Sequence, residues 1–465
     1  MMRSLFSGVS GLQNHQTRMD VVGNNIANVN TTGFKKGRVN FQDMLYQQIG
    51  GAARPTEDLG GINPKEVGLG MSIASIDTIH LQGSLQSTGV QTDLALVGTG
   101  FFVLKSAGQT YFTRAGNFGL DNQGTLVNPG NGLRVQGWMA QDRDGRQVLD
   151  VSRDIEDIVI PVGSKDPARA TTRINYACNL DQRLPQLPEN PTAQQIEDST
   201  WRTQIDVYDA FGDLHTLQVE FTRVPGVNNS WNATVVVDPQ SDPPTNAAIG
   251  LGEEAPAAGG PNVFNLTFGN NGRLLSATDG AGNESGGEDQ VIMNAAFDVL
   301  RATPGEDGPV RQEFTLDLGQ VGGYERAITQ FAQDNSTKAV EQDGYTMGYL
   351  DNFKIDQNGI ITGVFSNGTN RVLGQVALAS FANQGGLEKS GENLFTQSTN
   401  SGLANIGPAR VAGKGKIQAG TLEMSNVDLA DQFVDMIVTQ RGFQANSRTI
   451  QTADQLLQEL LTLKR

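Results

Sequence analysis

The chain has 465 residues, a length that predicts roughly two to four domains and a sizeable core. Its 34 lysines and arginines stand against 50 aspartates and glutamates, and this net charge of −16 argues against nucleic acid and anionic membranes as partners. No apolar run reaches the roughly 18 residues of a membrane span, and residues 1–8 lack the apolar core of a secretory signal peptide. One cysteine excludes an intrachain disulfide, and three dispersed histidines give little support to a metal site, so we expect no cofactor.

Both ends of the chain carry the apolar spacing of helices. The N-terminal stripe stops near Gly33 and consists of Leu5, Val9, Leu12, Met19, Val22, Ile26 and Val29. A helix from about Val427 to Leu463 is predicted by Leu429, Phe433, Met436, Phe443, Ile450, Leu457 and Leu461. This second stripe is as narrow as a coiled-coil seam, and it is interrupted by Gln440, Ser447 and Asp454. We therefore expect the terminal helices to pack on each other and also on neighbouring copies.

Glycine-rich turn signals fill residues 35–75, which predicts an irregular, extended connector. Short strands begin near residue 90, where Asp93–Val97 alternates and Phe101–Leu104 is a buried run. Hairpin turns are predicted at Asp121–Gly124, Asp142–Gly145 and Asp356–Gly359. The second of these looks like the start of a calcium loop, but the remaining ligands are missing, and a turn is our interpretation.

A second β-rich region covers residues 170–320. Its predicted strands are Ile205–Tyr208, Leu217–Phe221, Thr234–Val237 and Phe264–Phe268. The Ala, Gly and Pro residues between Pro243 and Pro261 predict a long surface loop, and strand patterns return from 345 to about 380. The fold class is therefore multidomain α+β, in which long terminal helices form a coiled-coil-like domain and enclose nested β-rich domains.

No catalytic constellation stands out in the sequence. Gly98–Gly100 is followed by a strand where a dinucleotide fingerprint needs a helix, and Gly413–Lys416 lacks the spacing of a phosphate loop. There is no G-x-S-x-G elbow. Two of the many carboxylates could still meet as a glycosidase pair, so a secreted β-rich enzyme stays open as an alternative.

Several motifs resemble the signatures of bacterial flagellar rod and hook axial proteins. They are Ser7–Leu12, Asn24–Lys35, Gly98–Phe102, Thr113–Phe118, Ser425–Leu429 and Gln440–Asn446. Distal rod proteins share the ends but are much shorter, so the length, together with the segment Leu373–Asn383, resembles the hook-type members, in particular those of spirochaetes. A rod or hook-cap relative is the alternative within this class.

The resemblance implies a structural subunit and no enzyme. Such subunits polymerise into a curved, flexible tube that transmits torque from motor to filament. The implied partners are further copies of the chain, the flagellar rod, hook cap and hook–filament junction proteins, and the export apparatus, with no nucleic acid and no membrane span. The implied location is the flagellar hook, reached without a cleaved signal peptide, and the periplasm if the source is a spirochaete.

The resemblance also implies a division of the chain into nested domains. The terminal helical domain forms the inner tube, an extended connector follows, and an inner β domain carries an outer β insert. The corresponding ranges are 1–34 with 421–465, then 35–75, then 76–166 with 325–420, and 167–324.

Two groups of residues are candidate sites. The first is an assembly motif in which Asn and Gly, which tolerate left-handed backbone, shape the exit of the first helix: Asn24, Asn25, Asn28, Gly33 and Phe34. The second is Cys178, whose bland interpretation is a small buried hydrophobe. Resemblance to spirochaete hook proteins implies instead a lysinoalanine cross-link from Cys178 to Lys165, the only lysine between Lys105 and Lys338, with Asn179 in support.

Overall fold

The computed structural model describes most of the chain. The described residues are 2–52, 54–55, 60–106, 108–143, 146–185, 187–188, 190–240, 245–251, 256–257, 260–286, 290–299, 310–324 and 326–463. They divide into two compact units: unit 1 comprises 1–162, 351–364 and 370–465, and unit 2 comprises 163–350 and 365–369.

Unit 1 begins and ends with a long helix. Helix α1 spans Met2–Ala27, and helix α3 spans Leu429–Leu463, whose 35 residues make it about 53 Å long at 1.5 Å per residue. The predicted bounds of α3 differ from these by two residues at its start. The short helix α2, Ala193–Asp198, belongs to unit 2.

The strands of unit 1 are short, because glycine and Asp-Gly turns interrupt the chain every few residues. They span Gly37–Asp43, Tyr46–Gly50, Lys65–Gly68, Met71–Thr78, Leu85–Ser87, Leu94–Val97, Phe101–Ser106, Gln109–Thr113, Gly119–Leu120, Leu126–Val127, Arg134–Met139, Gln141–Arg143, Arg146–Val148, Glu156–Asp157, Ile360–Phe365, Asn370–Val376, Leu378–Ser380, Glu388–Gly391, Leu394–Thr396, Asn405–Gly407, Lys416–Ala419 and Thr421–Glu423. Strand Gly348–Ile355 runs from unit 2 into unit 1. The aromatic core of unit 1 includes Phe101, Phe112, Trp138 and Phe381.

Residues 35–75 are not the irregular connector that the glycines predicted. Gly37–Asp43 pairs antiparallel with Met71–Thr78, and Tyr46–Gly50 pairs with Lys65–Gly68. The turn signals lie between regular ribbons, so composition alone gave the wrong interpretation. Two predicted hairpin turns are confirmed, since Asp121 and Asp356 each accept backbone N–H groups across their turns. Asp142 lies in a third hairpin, whose Asp144 and Gly145 are outside the described residues.

Unit 2 is built from two sheets whose inner faces share one apolar core. One sheet contains Arg173–Asp181, Ala248–Leu251, Gln290–Val299, Val310–Gln320, Thr329–Phe331 and Ser336–Gln342. The other contains Thr200–Tyr208, Leu214–Arg223, Ser230–Val237, Thr245–Asn246, Val263–Phe268, Leu274–Asp279 and Glu284–Gly286. A further short strand, Lys165–Asp166, pairs with Gly348–Tyr349.

The strands predicted in unit 2 are all present, but the long loop predicted from Pro243 to Pro261 is partly wrong. Ala248–Leu251 is a strand paired with Met293–Ala296, and Ala248 and Ile249 are buried. Small residues have a weak intrinsic preference for strands. Packing against the neighbouring strand, where there is little room for larger side chains, outweighs that preference. Residues 243–244, 252–255 and 258–259 of this segment are outside the described residues.

Candidate functional site: terminal helices, their junction and the cysteine strand

Helices α1 and α3 pack antiparallel within one chain through small and polar residues. Arg18 Nη2 lies 2.8 Å from Asp435 Oδ1, and Asn25 Nδ2 donates to Gln432 Oε1 at 2.9 Å. A Cβ atom added at Gly11 would lie 2.5 Å from Asn446 Nδ2. Glycine therefore lets the two backbones approach closely, as in other small-residue helix interfaces.

The contact surface of α3 has a seven-residue period and matches the predicted apolar stripe only in part, since Ile450 of that stripe lies against Gly8. Gln432, Thr439, Asn446 and Ala453 face α1, with three of them buried and Asn446 half-buried. The polar residues expected to interrupt the seam, Gln440, Ser447 and Asp454, are exposed or half-buried and lie off it. Polar residues do lie in the contact with α1, but they are not the ones that were predicted. The sequence alone does not show which side of α3 faces the glycines of α1.

The first turns of α3 carry an exposed apolar face. It consists of four residues that are each exposed over half or more of their surface: Phe433, Val434, Ile437 and Val438. Leu429 and Phe443 at its two ends are exposed to a lesser degree. Large contiguous apolar surfaces on a helix mark a contact that the isolated chain does not supply.

The exit of α1 is formed by some of the predicted residues. Asn28 Nδ2 donates to the Asn24 carbonyl at 2.9 Å, and Asn28 Oδ1 accepts from Thr31 Oγ1. These hydrogen bonds stabilise the C-terminal end of the helix. Asn25 acts differently from the expectation: it is buried inside the helix and bonds both the N–H and the carbonyl of Gly37. It therefore joins α1 to the first ribbon.

Gly33 lies six residues after the last residue of α1, with a φ of +69°. Its N–H donates to the Glu423 carbonyl at 2.7 Å, and a Cβ there would lie 2.5 Å from the Ala115 nitrogen. The neighbouring Phe34 packs beneath the ammonium of Lys389, which is 5.5 Å from the ring centre. Gly33 thus serves close packing against the β part of unit 1, a role beyond the helix exit that was predicted.

We expect Gly33→Val to destabilise unit 1 itself, because valine is strained at this φ and its Cβ clashes with backbone. Gly89 provides the matched control, since it has a φ of +73° and open space around its Cβ position. The comparison is the midpoint of urea unfolding for Gly33→Val and Gly89→Val. Equal shifts would show that only backbone strain matters and that the close approach to Ala115 does not.

A buried ion cluster lies beside Gly33 and was missed by the sequence analysis. Lys35 Nζ is 2.6 Å from Glu423 Oε1, Arg114 Nη1 is 3.3 Å from Glu423 Oε2, and the exposed fractions of the three side chains are 0, 2 and 0% for Lys35, Arg114 and Glu423. Burial lowers the pKa of Lys35, while Glu423 acts to raise it. The one available signal was that Lys35 and Arg114 both lie within the quoted family motifs.

Backbone groups complete this cluster. Lys35 Nζ donates to the Leu81 carbonyl at 2.7 Å, Arg114 Nη2 donates to the Gly98 carbonyl at 2.8 Å, and Glu423 accepts the N–H of Gly83. His80 lies nearby, and burial together with the charges of Lys35, Arg114 and Lys389 lowers its pKa to about 4. The imidazole is therefore neutral near pH 7, and the cluster joins five segments of unit 1.

Cys178 lies on the central strand Arg173–Asp181 of unit 2. Its side chain belongs to the shared core and is 4% exposed, and burial raises the pKa of the thiol. The pairing with Ser336–Gln342 shifts register between Ala177 and Cys178. The adjacent Asn179 Oδ1 accepts from the Phe331 N–H at 3.0 Å, so Asn179 holds the neighbouring strand.

Lys165 is exposed on the short strand that pairs with Tyr349. The chain from Asp343 to Tyr349 runs away from Cys178, since Asp343 bonds Arg173 at the strand start and Tyr345 bridges Arg169. Arg173 and Cys178 alone are about 17 Å apart at 3.3 Å per residue. Lys165 and Cys178 of one copy are therefore not brought together.

Among the described residues, no cluster of three or more His, Cys, Asp or Glu could hold a metal ion. Within the same part of the chain, no helix is long and apolar enough to cross a membrane.

Four family models match the chain in order. They are the flagella basal body rod protein over residues 5–35, the flagellar hook protein FlgE/F/G D1 domain over 95–173, the flagellar basal body protein FlaE D2 domain over 179–345, and the flagellar basal body rod FlgEFG protein C-terminal region over 418–463. Together they cover both ends and the middle of the sequence.

Curated relatives match over the full length. The chain is 60% identical to the flagellar hook protein FlgE of Treponema pallidum and 52% identical to that of Borreliella burgdorferi, each over 100% of both chains. It is 32% identical to FlgE of Salmonella typhimurium over 99% of this chain and all of the relative. The crystal structure of Helicobacter pylori flagellar hook protein FlgE2 matches with a TM-score of 0.50 and 16% identity, covering 73% of this chain and 100% of that one, which supports the fold.

Proposed function

Because the chain belongs to the flagellar hook protein family, we propose that its copies polymerise into a curved, flexible tube that transmits torque from the motor to the filament. The chain is a structural hook subunit, and its relatives are structural hook proteins. The observation that carries the proposal is the exposed apolar face of α3, residues 433–438, because a monomer in water gains nothing from it.

The terminal helices form the inner tube in this proposal. Each chain contributes the glycine-lined pair of α1 and α3, and the apolar face of α3 packs on neighbouring copies in a coiled-coil-like arrangement. The proposed domains are the inner tube from 1–34 and 421–465, the connecting ribbons from 35–75, an inner β domain from the remaining β residues of unit 1, and an outer β domain from unit 2, residues 163–350 with 365–369. Asn24, Asn25, Asn28, Gly33 and Phe34 set the path between helix and connector.

The proposed partners follow from a place in the flagellum. The tube meets the rod at one end and the hook cap, later the hook–filament junction proteins, at the other. The subunit leaves the cell through the flagellar export apparatus without a cleaved signal peptide, and in a spirochaete the finished hook lies in the periplasm. The sequence identity to the Treponema and Borreliella relatives supports a spirochaete as the source of the protein.

Negative-stain electron microscopy of the purified full chain tests the proposal. Curved tubes should grow when the concentration is raised or when short hook fragments are added as seeds. A variant that lacks residues 427–465 should stay a soluble monomer. Its unit 2 should unfold as it does in the full chain. Straight, rigid assemblies would favour a rod relative, and a chain that stays monomeric with seeds present would reject the proposal.

We further propose a lysinoalanine bond between Cys178 of one copy and Lys165 of a neighbouring copy. Removal of the Cys178 Cα proton expels the sulfur as hydrosulfide and leaves dehydroalanine. The neutral Lys165 amine then adds to Cβ, and a proton returns to Cα, so no oxidant or reductant is consumed. The separation of the two residues within one copy supports a bond between copies, and Asn179 positions the strand.

Assembled wild-type chain should therefore give a ladder of oligomers on a denaturing, reducing gel, and Cys178→Ala and Lys165→Arg should each abolish it. The unassembled chain should give none, since the buried thiol of Cys178 is a poor leaving group while its pKa is raised. Lys105→Arg is the control and should leave the ladder intact. A ladder that survives Cys178→Ala or disappears with stronger reductant contradicts this assignment.

A further inference from the structure

The imidazole of His80 occupies a pocket of unit 1 that suits its neutral form. His80 follows strand Met71–Thr78, and its ring contacts the rings of Phe101 and Phe395, with ring centres 5.7 and 5.6 Å away. The imidazole bonds the backbone of Gln384, but its Nδ1 atom is buried and makes no hydrogen bond within the described residues. A proton on Nδ1 would therefore be a buried donor without an acceptor, which is costly.

The charges around this pocket also oppose protonation of the ring. Three cations face His80, and each comes from a different part of unit 1: Lys35 follows α1, Arg114 follows strand Gln109–Thr113, and Lys389 lies in strand Glu388–Gly391. Glu423 is a counter-charge for Lys35 and Arg114, with which it pairs. Protonated His80 would be a fourth cation beside them, and burial together with the three cations lowers its pKa to about 4.

The residues on either side of His80 bind the segments that lead to both terminal helices. The Ile79 and Leu81 carbonyls accept from Asn426 Nδ2 at 2.8 and 3.1 Å, and Asn426 lies just before the start of α3. On the side of α1, the Ile79 N–H donates to the Lys36 carbonyl at 2.9 Å, and the Lys36 N–H donates to Asn426 Oδ1 at 2.8 Å. A displacement of this segment would break the bonds to both helices at once.

We propose that His80 is a proton-sensitive latch that holds both terminal helices on the β part of unit 1. The latch is closed while the imidazole is neutral and the bonds of Ile79 and Leu81 are made. A proton on the ring displaces His80 from its pocket, so the segments leading to α1 and α3 are released together while the aromatic core stays folded. This inference does not depend on the proposed function, because it concerns the single chain.

The direction of the pH dependence follows from the two positions of the ring. The pKa of His80 is about 4 in the closed latch and returns to its ordinary value of 6.5 in the open one. Between these values the open latch binds the proton more strongly, so the closed latch is favoured near pH 7 and weakens as the pH falls. His15, in α1, is the other histidine of unit 1, and burial and Arg18 lower its pKa too, so it needs a control of its own.

Hydrogen–deuterium exchange of the purified full chain, read by mass spectrometry near pH 7 and near pH 5, tests the latch. After correction for the intrinsic effect of pH on exchange, the protection of amides in residues 33–36 and 79–83 should fall at least about tenfold near pH 5. Amides of strand Phe101–Ser106 should keep their protection. An equal loss in that strand would show global unfolding in acid and would overturn the latch.

The variant His80→Gln removes the titrating group, while its amide can still reach the backbone of Gln384. It should keep its protection near pH 5. The matched control is His15→Gln, which should lose protection as the wild-type chain does. The opposite result for the two variants would place the acid sensitivity in α1 and overturn the latch.

The variant Lys389→Met is a second arm that leaves His80 in place and decides the matter if His80→Gln is already unprotected near pH 7. It removes one of the cations that face the imidazole, so the pKa of His80 in the closed latch should rise and the loss of protection near pH 5 should be smaller. Wild-type protection that does not change between the two pH values overturns the proposal. An undiminished loss in Lys389→Met does the same.

Discussion

Replacing Glu423 by glutamine is expected to lower the free energy of unfolding of unit 1 by about 3–5 kcal/mol. The substitution keeps the shape of the side chain but leaves the charges of Lys35 and Arg114 without a counter-charge, although all three side chains are buried. Desolvated cations without a carboxylate are costly, and their backbone partners, the carbonyls of Leu81 and Gly98, compensate only in part.

The matched control is Glu220→Gln. Glu220 forms an ion pair with Arg202 at 2.7 Å, and these side chains reach solvent, with exposed fractions of 28% and 51%. An exposed pair contributes less than about 1 kcal/mol, so the same chemical change should scarcely shift its unfolding. Urea unfolding of both variants measures the difference. A loss for Glu423→Gln as small as that for Glu220→Gln would mean that the cluster does not hold the junction.

The second large effect is expected at the apolar face of α3. The double variant Val434→Asp/Ile437→Asp should stop tube growth, because each side chain contributes about 1.5–3 kcal/mol when a neighbouring copy covers it, and because a carboxylate in that contact is desolvated. Every 1.4 kcal/mol lost from the free energy of the contact raises the critical concentration about tenfold. The double variant should therefore not assemble at ordinary concentrations.

Leu403→Asp is the control for this face, since Leu403 is more exposed than any of these residues but lies in a loop of unit 1. It should assemble at the wild-type concentration. Sedimentation of tubes across a concentration series measures both variants, and circular dichroism verifies the helix content. Normal tubes from the double variant would show that this face of α3 is not a subunit contact.

The helices and strands could be predicted from the sequence, whereas most contacts between them could not. The helices α1 and α3 and the strands of unit 2 follow periodic patterns, which depend on which residues face a core. The α1–α3 seam escaped because its close packing uses Gly11 and Asn446, which no hydrophobic period marks. The ion cluster escaped because Lys35, Arg114 and Glu423 are far apart in sequence, and no local pattern indicates that they meet.

The roles of single residues depend on the residues that surround them in the fold, which the local sequence does not show. Gly33 was predicted to need left-handed backbone, and its φ is positive. The contact with Ala115 that makes the position more demanding comes from the loop just after strand Gln109–Thr113, far along the chain, and leaves no local signal. For Cys178 the sequence offered either a buried hydrophobe or a reactive thiol. The side chain is buried in the isolated chain, and the cross-link is a property that we assign to the assembly alone.

The pairing of Lys35 with Glu423 joins residues separated by 388 positions, and this has a consequence for the order of folding. Strand Arg173–Asp181 likewise takes its partners from residues 310–342. Unit 2 can close only after residue 342 has been made, whereas unit 1 must wait until residue 423, and α1 has no helix to pack on until α3 follows. Contacts of such long range fold slowly, so the first segment of the chain to appear is among the last to become structured.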